Sequence, residues 1–142
     1  MKVSEIMTES VASLNSNDTI ERAAQLMMEH NIGSIPVCRG EKVVGVITDR
    51  DITLRSVANG QNAKVQTVKE IMSSNPVLIQ PSMEAEDAAR IMSERQIRRL
   101  PVVENDNLVG IVSLGDIATN STMENLAEKT LCEISEPCTP II

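Results

Sequence analysis

Two short phrases in the chain pair a hydroxyl with a carboxylate at the same spacing. Thr48-Asp49-Arg50-Asp51 follows the apolar run Gly45-Val46-Ile47, and Ser113-Leu114-Gly115-Asp116 follows Gly110-Ile111-Val112. A hydroxyl three residues before an acid is close to a capping box, the ordinary way to start a helix. The same arrangement suits an anionic ligand. A helix N-terminus presents free N–H groups and the positive end of its dipole, so phosphate can sit there. The hydroxyl adds a donor, and a carboxylate one turn in can accept hydrogen bonds from a ribose diol, as acidic residues do in dinucleotide sites. Capping and binding are compatible.

The elements that must position these residues come from a duplication. Shifted by 65 residues, positions 3–52 lie on 68–117 without a gap. Identities include Val3/Val68, Glu5/Glu70, Ile6/Ile71, Met7/Met72, Ala23/Ala88, Met27/Met92, Pro36/Pro101, Val37/Val102, Gly45/Gly110 and Asp51/Asp116. Internal repetition of this kind is the first thing to settle about a fold.

Each copy reads the same way. A "SEIM" or "KEIM" turn leads to a brief strand near Val11–Leu14 or Val77–Ile79. Asn17-Asp18 or Ser82 can then cap a helix with apolar residues at helical spacing: Ile20, Ala23, Ala24 and Met27, or Ala85, Ala88, Ala89 and Met92. "SIPVC" and "RLPVV" predict strands, and turns at Gly40-Glu41 and Asn105-Asp106 lead to the hairpin partners "KVVGVIT" and "NLVGIVS". A second helix starts at Thr48 or Ser113. The expected fold is α+β, with the order β-α-β-β-α occurring twice. The repeats occupy residues 1–58 and 67–130, a polar linker 59–66 joins them, and an irregular tail with Pro137 and Pro140 fills 131–142. A single copy is marginal as an independent fold, so the two are expected to pack their sheets together around a shared core.

Composition narrows the function classes. Hydrophobic residues make up 42% of the 142, which predicts a globular chain. Thirteen basic against twenty acidic residues give a net charge of −7, so no nucleic-acid partner is expected. No apolar run approaches the ~20 residues of a membrane span. Met1-Lys2-Val3-Ser4-Glu5 opens no signal peptide, so the expected location is cytoplasmic. Cys38, Cys132 and Cys138 are expected as reduced thiols. With one histidine and no Cys-x-x-Cys, no zinc site is expected. Phe, Tyr and Trp are absent, so the core must come from Ile, Val, Leu, Ala and eight Met. A flat ligand would have to stack on aliphatic groups and peptide planes.

The doubled "IPV…GVITDRDI" and "LPV…GIVSLGDI" resembles a pair of cystathionine-β-synthase (CBS) domains, the tandem called a Bateman module. The likeness covers nearly the whole chain and leaves only the tail. It implies pseudo-twofold packing of the repeats and two clefts between them for adenosine-containing ligands: AMP, ADP, ATP, S-adenosylmethionine or dinucleotides. These would be regulatory ligands, with no cofactor required. By the family pattern Asp51 and Asp116 would hold ribose hydroxyls, while Thr48 and Ser113 would face phosphate. Adenine would lie against side chains and backbone around Ile35, Pro36, Leu100, Pro101, Val46 and Ile111. Where the first repeat has Gly33-Ser34 the second has Arg98-Arg99, a place where family members carry His or Arg and use them on phosphates. In a chain this acidic, two adjacent arginines beside a candidate pocket favour phosphate over a solvated strand edge. Arg50 is a further phosphate candidate. The resemblance also implies a homodimer formed through the second helices, and regulation of an effector protein in trans.

Other residues carry less. His30 near a helix end is placed for the dipole, and no nucleophile–base pairing for it is readable. The expected function is therefore non-catalytic sensing. The alternative is a structural interaction module with vestigial nucleotide sites, against which stands the acid kept in both repeats.

Overall fold

The computed structural model describes residues 1–136 and is of mixed α+β class. In chain order it comprises α1 (Val3–Ile6), β1 (Leu14–Asn15), α2 (Ile20–His30), β2 (Ser34–Arg39) and β3 (Lys42–Thr48). The turn α3 (Asp49–Asp51) runs into a π-helix at Ile52–Val57, followed by a 3₁₀ turn at Val68–Glu70 and β4 (Ser73–Ser74). Then come α4 (Ala85–Arg95), β5 (Arg99–Glu104), β6 (Asn107–Ser113), α5 (Leu114–Ala118), a 3₁₀ turn at Ser121–Met123 and α6 (Glu124–Ser135).

Two compact units cut across the order of the repeats. A first-repeat unit is formed by Ala12–Pro76 with Asp106–Leu108; a second-repeat unit is formed by Met1–Val11, Val77–Asn105 and the chain from Val109. In the first, β1 lies parallel to β2, and β3 pairs antiparallel with both β2 and β4. The helical spacing of Ile20, Ala23, Leu26 and Met27 turns those residues of α2 onto a core with Ile35, Val37 and Ile47. In the second unit Ala85, Ala88, Ala89 and Met92 of α4 do the same against Leu100, Val102 and Val112. The β5–β6 turn places both Asn105 and Asp106 at positive φ (52° and 66°), the backbone of a tight primed hairpin turn.

Each leading turn serves the opposite repeat. Val68, just before "KEIM", and Ile71 within it are buried in the first-repeat core, and Val3, just before "SEIM", is buried in the second. The backbone does this in matching detail. Val68 N–H donates to the Asp18 carbonyl (2.8 Å) and Ile20 N–H to the Gln66 carbonyl (3.0 Å). Their counterparts are Val3 N–H to Met83 (2.8 Å) and Ala85 N–H to Met1 (2.8 Å). The leading segments thus supply acceptors to the first N–H groups of α2 and α4, which have no partner inside their own helices. Residues 59–66, expected only to join the repeats, also help: the Ala63 carbonyl accepts from Glu21 N–H at 3.0 Å. The close passage of these segments explains two glycines. A Cβ at Gly45 would stand 2.9 Å from the Ser73 carbonyl oxygen, and one at Gly110 2.9 Å from that of Thr8.

Several local expectations are corrected. The first strand is Leu14–Asn15, and around Val77–Ile79 there is only an isolated parallel bridge from Ile79 to Val102. The N-cap of α2 is Thr19, whose hydroxyl accepts from Arg22 N–H at 3.2 Å; Asp18 instead accepts from Asn15 N–H at 2.8 Å. The N-cap of α4 is Glu84 rather than Ser82, and its carboxylate binds Lys2 Nζ at 2.6 Å. The tail expected from residue 131 begins as helix. α6 runs to Ser135 because Ala127, Thr130 and Ile134 form a buried stripe, and it packs on α4 and α5. Cys132 is exposed on this helix. Pro137, Cys138 and Pro140 lie outside the described residues.

Candidate nucleotide site

Each repeat ends its hairpin on the same junction. Thr48 closes β3 in extended backbone (φ −116°, ψ 161°), and Ser113 closes β6 at φ −122°, ψ 162°. Thr48 Oγ1 accepts from Asp51 N–H at 3.1 Å while Asp51 Oδ2 accepts from Thr48 N–H at 2.9 Å. Ser113 Oγ and Asp116 make the matching pair at 3.1 and 2.8 Å. Both phrases are therefore capping boxes. Each cap uses one carboxylate oxygen. Arg55 Nε lies 3.9 Å from the other oxygen of Asp51, whereas Oδ1 of Asp116 makes no hydrogen bond among the described residues.

A second backbone bond ties each junction to the strand beside it. Asp49 N–H donates to the Gly33 carbonyl at 2.9 Å, and Leu114 N–H to the Arg98 carbonyl at 2.8 Å. The residue before the strand that carries the apolar-Pro-Val phrase (h-P-V; Ile35-Pro36-Val37 and Leu100-Pro101-Val102) is thereby held at the first turn of the helix in both repeats. Arg98 and Arg99 are exposed and, with Ser113, Leu114, Gly115 and Ala118, line an open depression of ≈ 340 Å³. Among the described residues neither arginine makes a salt bridge. Arg50 lines a separate depression of ≈ 320 Å³ with Asp49, Thr53 and Leu54.

The apolar candidates divide by strand parity. Ile35 stands opposite Ile47 and Pro36 opposite Val46 on the β2–β3 ladder. Ile35 and Leu100 are fully buried in the two cores, so neither side chain is open to a ligand. Pro36 and Pro101 are buried and lie outside those clusters; Val46 and Ile111 are half-buried. Val46 pairs with Ser73, and Ile111 bridges Thr8. Asp49 and Leu114, which sit at the junctions themselves, were not among the expected site residues. The signal was present, since the 65-residue offset sets an acid against a leucine there. Among the described residues no group of three or more His, Cys, Asp and Glu could hold a metal ion.

The family model for the CBS domain matches residues 3–57 and 68–121. The CBS domain-containing protein YhcV of Bacillus subtilis is 46% identical over 133 residues, 94% of each chain. Among solved structures, Hypoxic Response Protein I with two coordinated zinc ions superposes with a TM-score of 0.78 at 32% identity, covering 84% of this chain and 98% of that one. A CBS domain pair in complex with 5′-methylthioadenosine and S-adenosyl-L-methionine gives 0.74 at 31% identity, covering 83% and 93%. The chain belongs to the CBS domain family and carries two copies of the domain in tandem.

Proposed function

We propose that the chain is a non-catalytic regulatory module that binds adenosine-containing ligands at its two Thr/Ser-x-x-Asp junctions. One observation carries the reading: both repeats build the same capping box, and each Asp gives only one carboxylate oxygen to it. The second oxygen is the acceptor a ribose diol needs. Arg98 and Arg99 beside Ser113 supply guanidinium donors for phosphate. Val46 and Ile111, both half-buried, give adenine aliphatic contact in a chain without aromatic rings. The ligands of the neighbouring CBS pair, both adenosyl compounds, support the class.

In this reading the ligand is an effector of a partner protein in trans, and the module works in the cytoplasm as a homodimer. No helix among the described residues is long and apolar enough to cross a membrane. Leu54 and Val57, 50% and 66% exposed on the π-helix, are apolar surface that a dimer would cover. Thermal melts with adenosine, 5′-methylthioadenosine, S-adenosylmethionine, AMP and ATP test the binding. A ligand present at a hundredfold excess over its Kd adds about 2.7 kcal/mol of stability, visible as several degrees. Flat melts for all five would favour the structural interaction module instead.

A further inference from the structure

The two junctions share a backbone but carry opposite charge where a 5′-substituent would lie. Asp49 N–H to Gly33 and Leu114 N–H to Arg98 are the same hydrogen bond, which fixes positions 33 and 98, and 49 and 114, as structural equivalents. In the second repeat this place holds the Arg98 guanidinium beside uncharged Leu114, with Arg99 next in the chain. In the first, positions 33 and 34 carry no cation, and the one arginine nearby, Arg50, stands at the equivalent of Gly115 and lines the depression beside the Asp49 carboxylate. Gly33 has no side chain, and the Asp49 carboxylate fills the space that one would take: a Cβ on Gly33 would stand 2.9 Å from Asp49 Oδ2. Asp49 is held in place, since its Oδ1 accepts from Arg50 N–H at 2.9 Å. A second acid follows at Asp51, and the Arg55 side chain is turned to Asp51 Oδ1 rather than to Asp49.

We infer that the two sites take different chemical classes, with Asp49 as the residue that sets the difference; the inference rests on the adenosine-binding reading above. The second-repeat site takes adenosyl phosphates, whose anionic 5′-group meets Arg98 and Arg99. The first-repeat site takes adenosyl compounds whose 5′-substituent is neutral or cationic, a thioether or a sulfonium, because a phosphate there would face the Asp49 carboxylate. A like charge placed this way discriminates against the ligand in addition to the contacts that are missing. The module would then report two ligands independently instead of one ligand twice.

Titration calorimetry on the full chain tests this with 5′-methylthioadenosine, S-adenosylmethionine, AMP and ATP, after melts confirm that each variant is folded. Wild type should bind AMP and ATP tightly at one site per chain and about tenfold or more weakly at the other. Arg98→Gly with Arg99→Ser should abolish or weaken the tight site by about tenfold or more, as expected for lost charge-assisted bonds, while leaving 5′-methylthioadenosine bound. Asp49→Leu, which copies the second repeat, should improve AMP binding at the first site by about two- to fivefold, the range for one exposed charge. Asp49→Asn should show the same direction with less change of shape. Two equal AMP sites in wild type, or unchanged AMP binding in both Asp49 variants, would overturn the inference while the adenosine-binding reading stands. No binding of any of the four compounds would overturn both.

Discussion

Replacing Val3 by alanine should loosen the second-repeat unit and spare the first, although Val3 belongs to the first repeat by sequence. Val3 is 0% exposed and sits in the core with Ala88, Met92, Leu100 and Ile117. Losing two buried methyl groups costs about 1.6 kcal/mol in transfer, and the cavity left behind raises this to about 2–3 kcal/mol. At 1.4 kcal/mol per decade, amides protected only by opening of that unit should exchange roughly 30- to 150-fold faster. Native-state hydrogen exchange resolved by peptide reads this out. Peptides from α4 should lose protection in Val3→Ala and those from α2 should not. Val68→Ala, also 0% exposed but in the first-repeat core, should give the reverse. If Val3→Ala accelerated α2 rather than α4, the assignment of the leading segments would be wrong.

Asp116→Asn should separate cap from site: Asn keeps the acceptor for Ser113 N–H, so melting should register less than about 1 kcal/mol, the loss of charge at a helix start. Ligand affinity in the second repeat should nevertheless fall by about 5- to 150-fold, or ~1–3 kcal/mol. Glu70 and Glu84 titrate below their ordinary value of 4.5, the first through hydrogen bonds from the Thr67 backbone and hydroxyl, the second through its bond from Lys2. With folded values depressed, their contribution is present above pH 4.5 and is lost as pH falls below it. Melts from pH 6 to 3 (roughly that window) should show an acid-side decline that is shallower in Glu70→Gln and Glu84→Gln. Burial pushes the Cys38 thiol above its ordinary value of 9.0, while Cys132 is exposed. Iodoacetamide followed by peptide mapping should therefore label Cys132 well before Cys38.

Much of the fold was legible because the duplication doubled every weak signal. Ile20, Ala23 and Met27 against Ala85, Ala88 and Met92 fixed both core helices, and turn residues at 40–41 and 105–106 fixed both hairpins. What escaped was long-range. Nothing in Val3 and the "SEIM" after it says which core they enter, because Val3 and Val68 are equally apolar and either would fit; only the paired backbone bonds decide. The caps of α2 and α4 moved one to two residues because carbonyls of distant segments, Gln66 and Met1, took over part of the capping. The extent of α6 was less legible, because Pro137 and Pro140 signal an irregular tail, while the Ala127–Thr130–Ile134 stripe that carries the helix to Ser135 declares itself only through its burial. At the site, the Thr/Ser-x-x-Asp phrases were readable from spacing alone, since a capping box is local. The burial of Ile35 and Leu100 was not, because h-P-V does not say which of its faces meets the core. The place of Asp49 was not legible either, because its approach to Gly33 is a tertiary contact that spacing does not encode.

The most direct test of the adenosine-binding reading is equilibrium dialysis of the full chain against radiolabelled 5′-methylthioadenosine, a probe whose adenine and ribose are intact and whose 5′-group is uncharged. Wild type is predicted to show saturable binding, displaced by excess unlabelled compound, and the folded Asp51→Asn/Asp116→Asn double variant to lose it. Failure of wild type to retain the label at any concentration, or undiminished retention by the double variant, would contradict it.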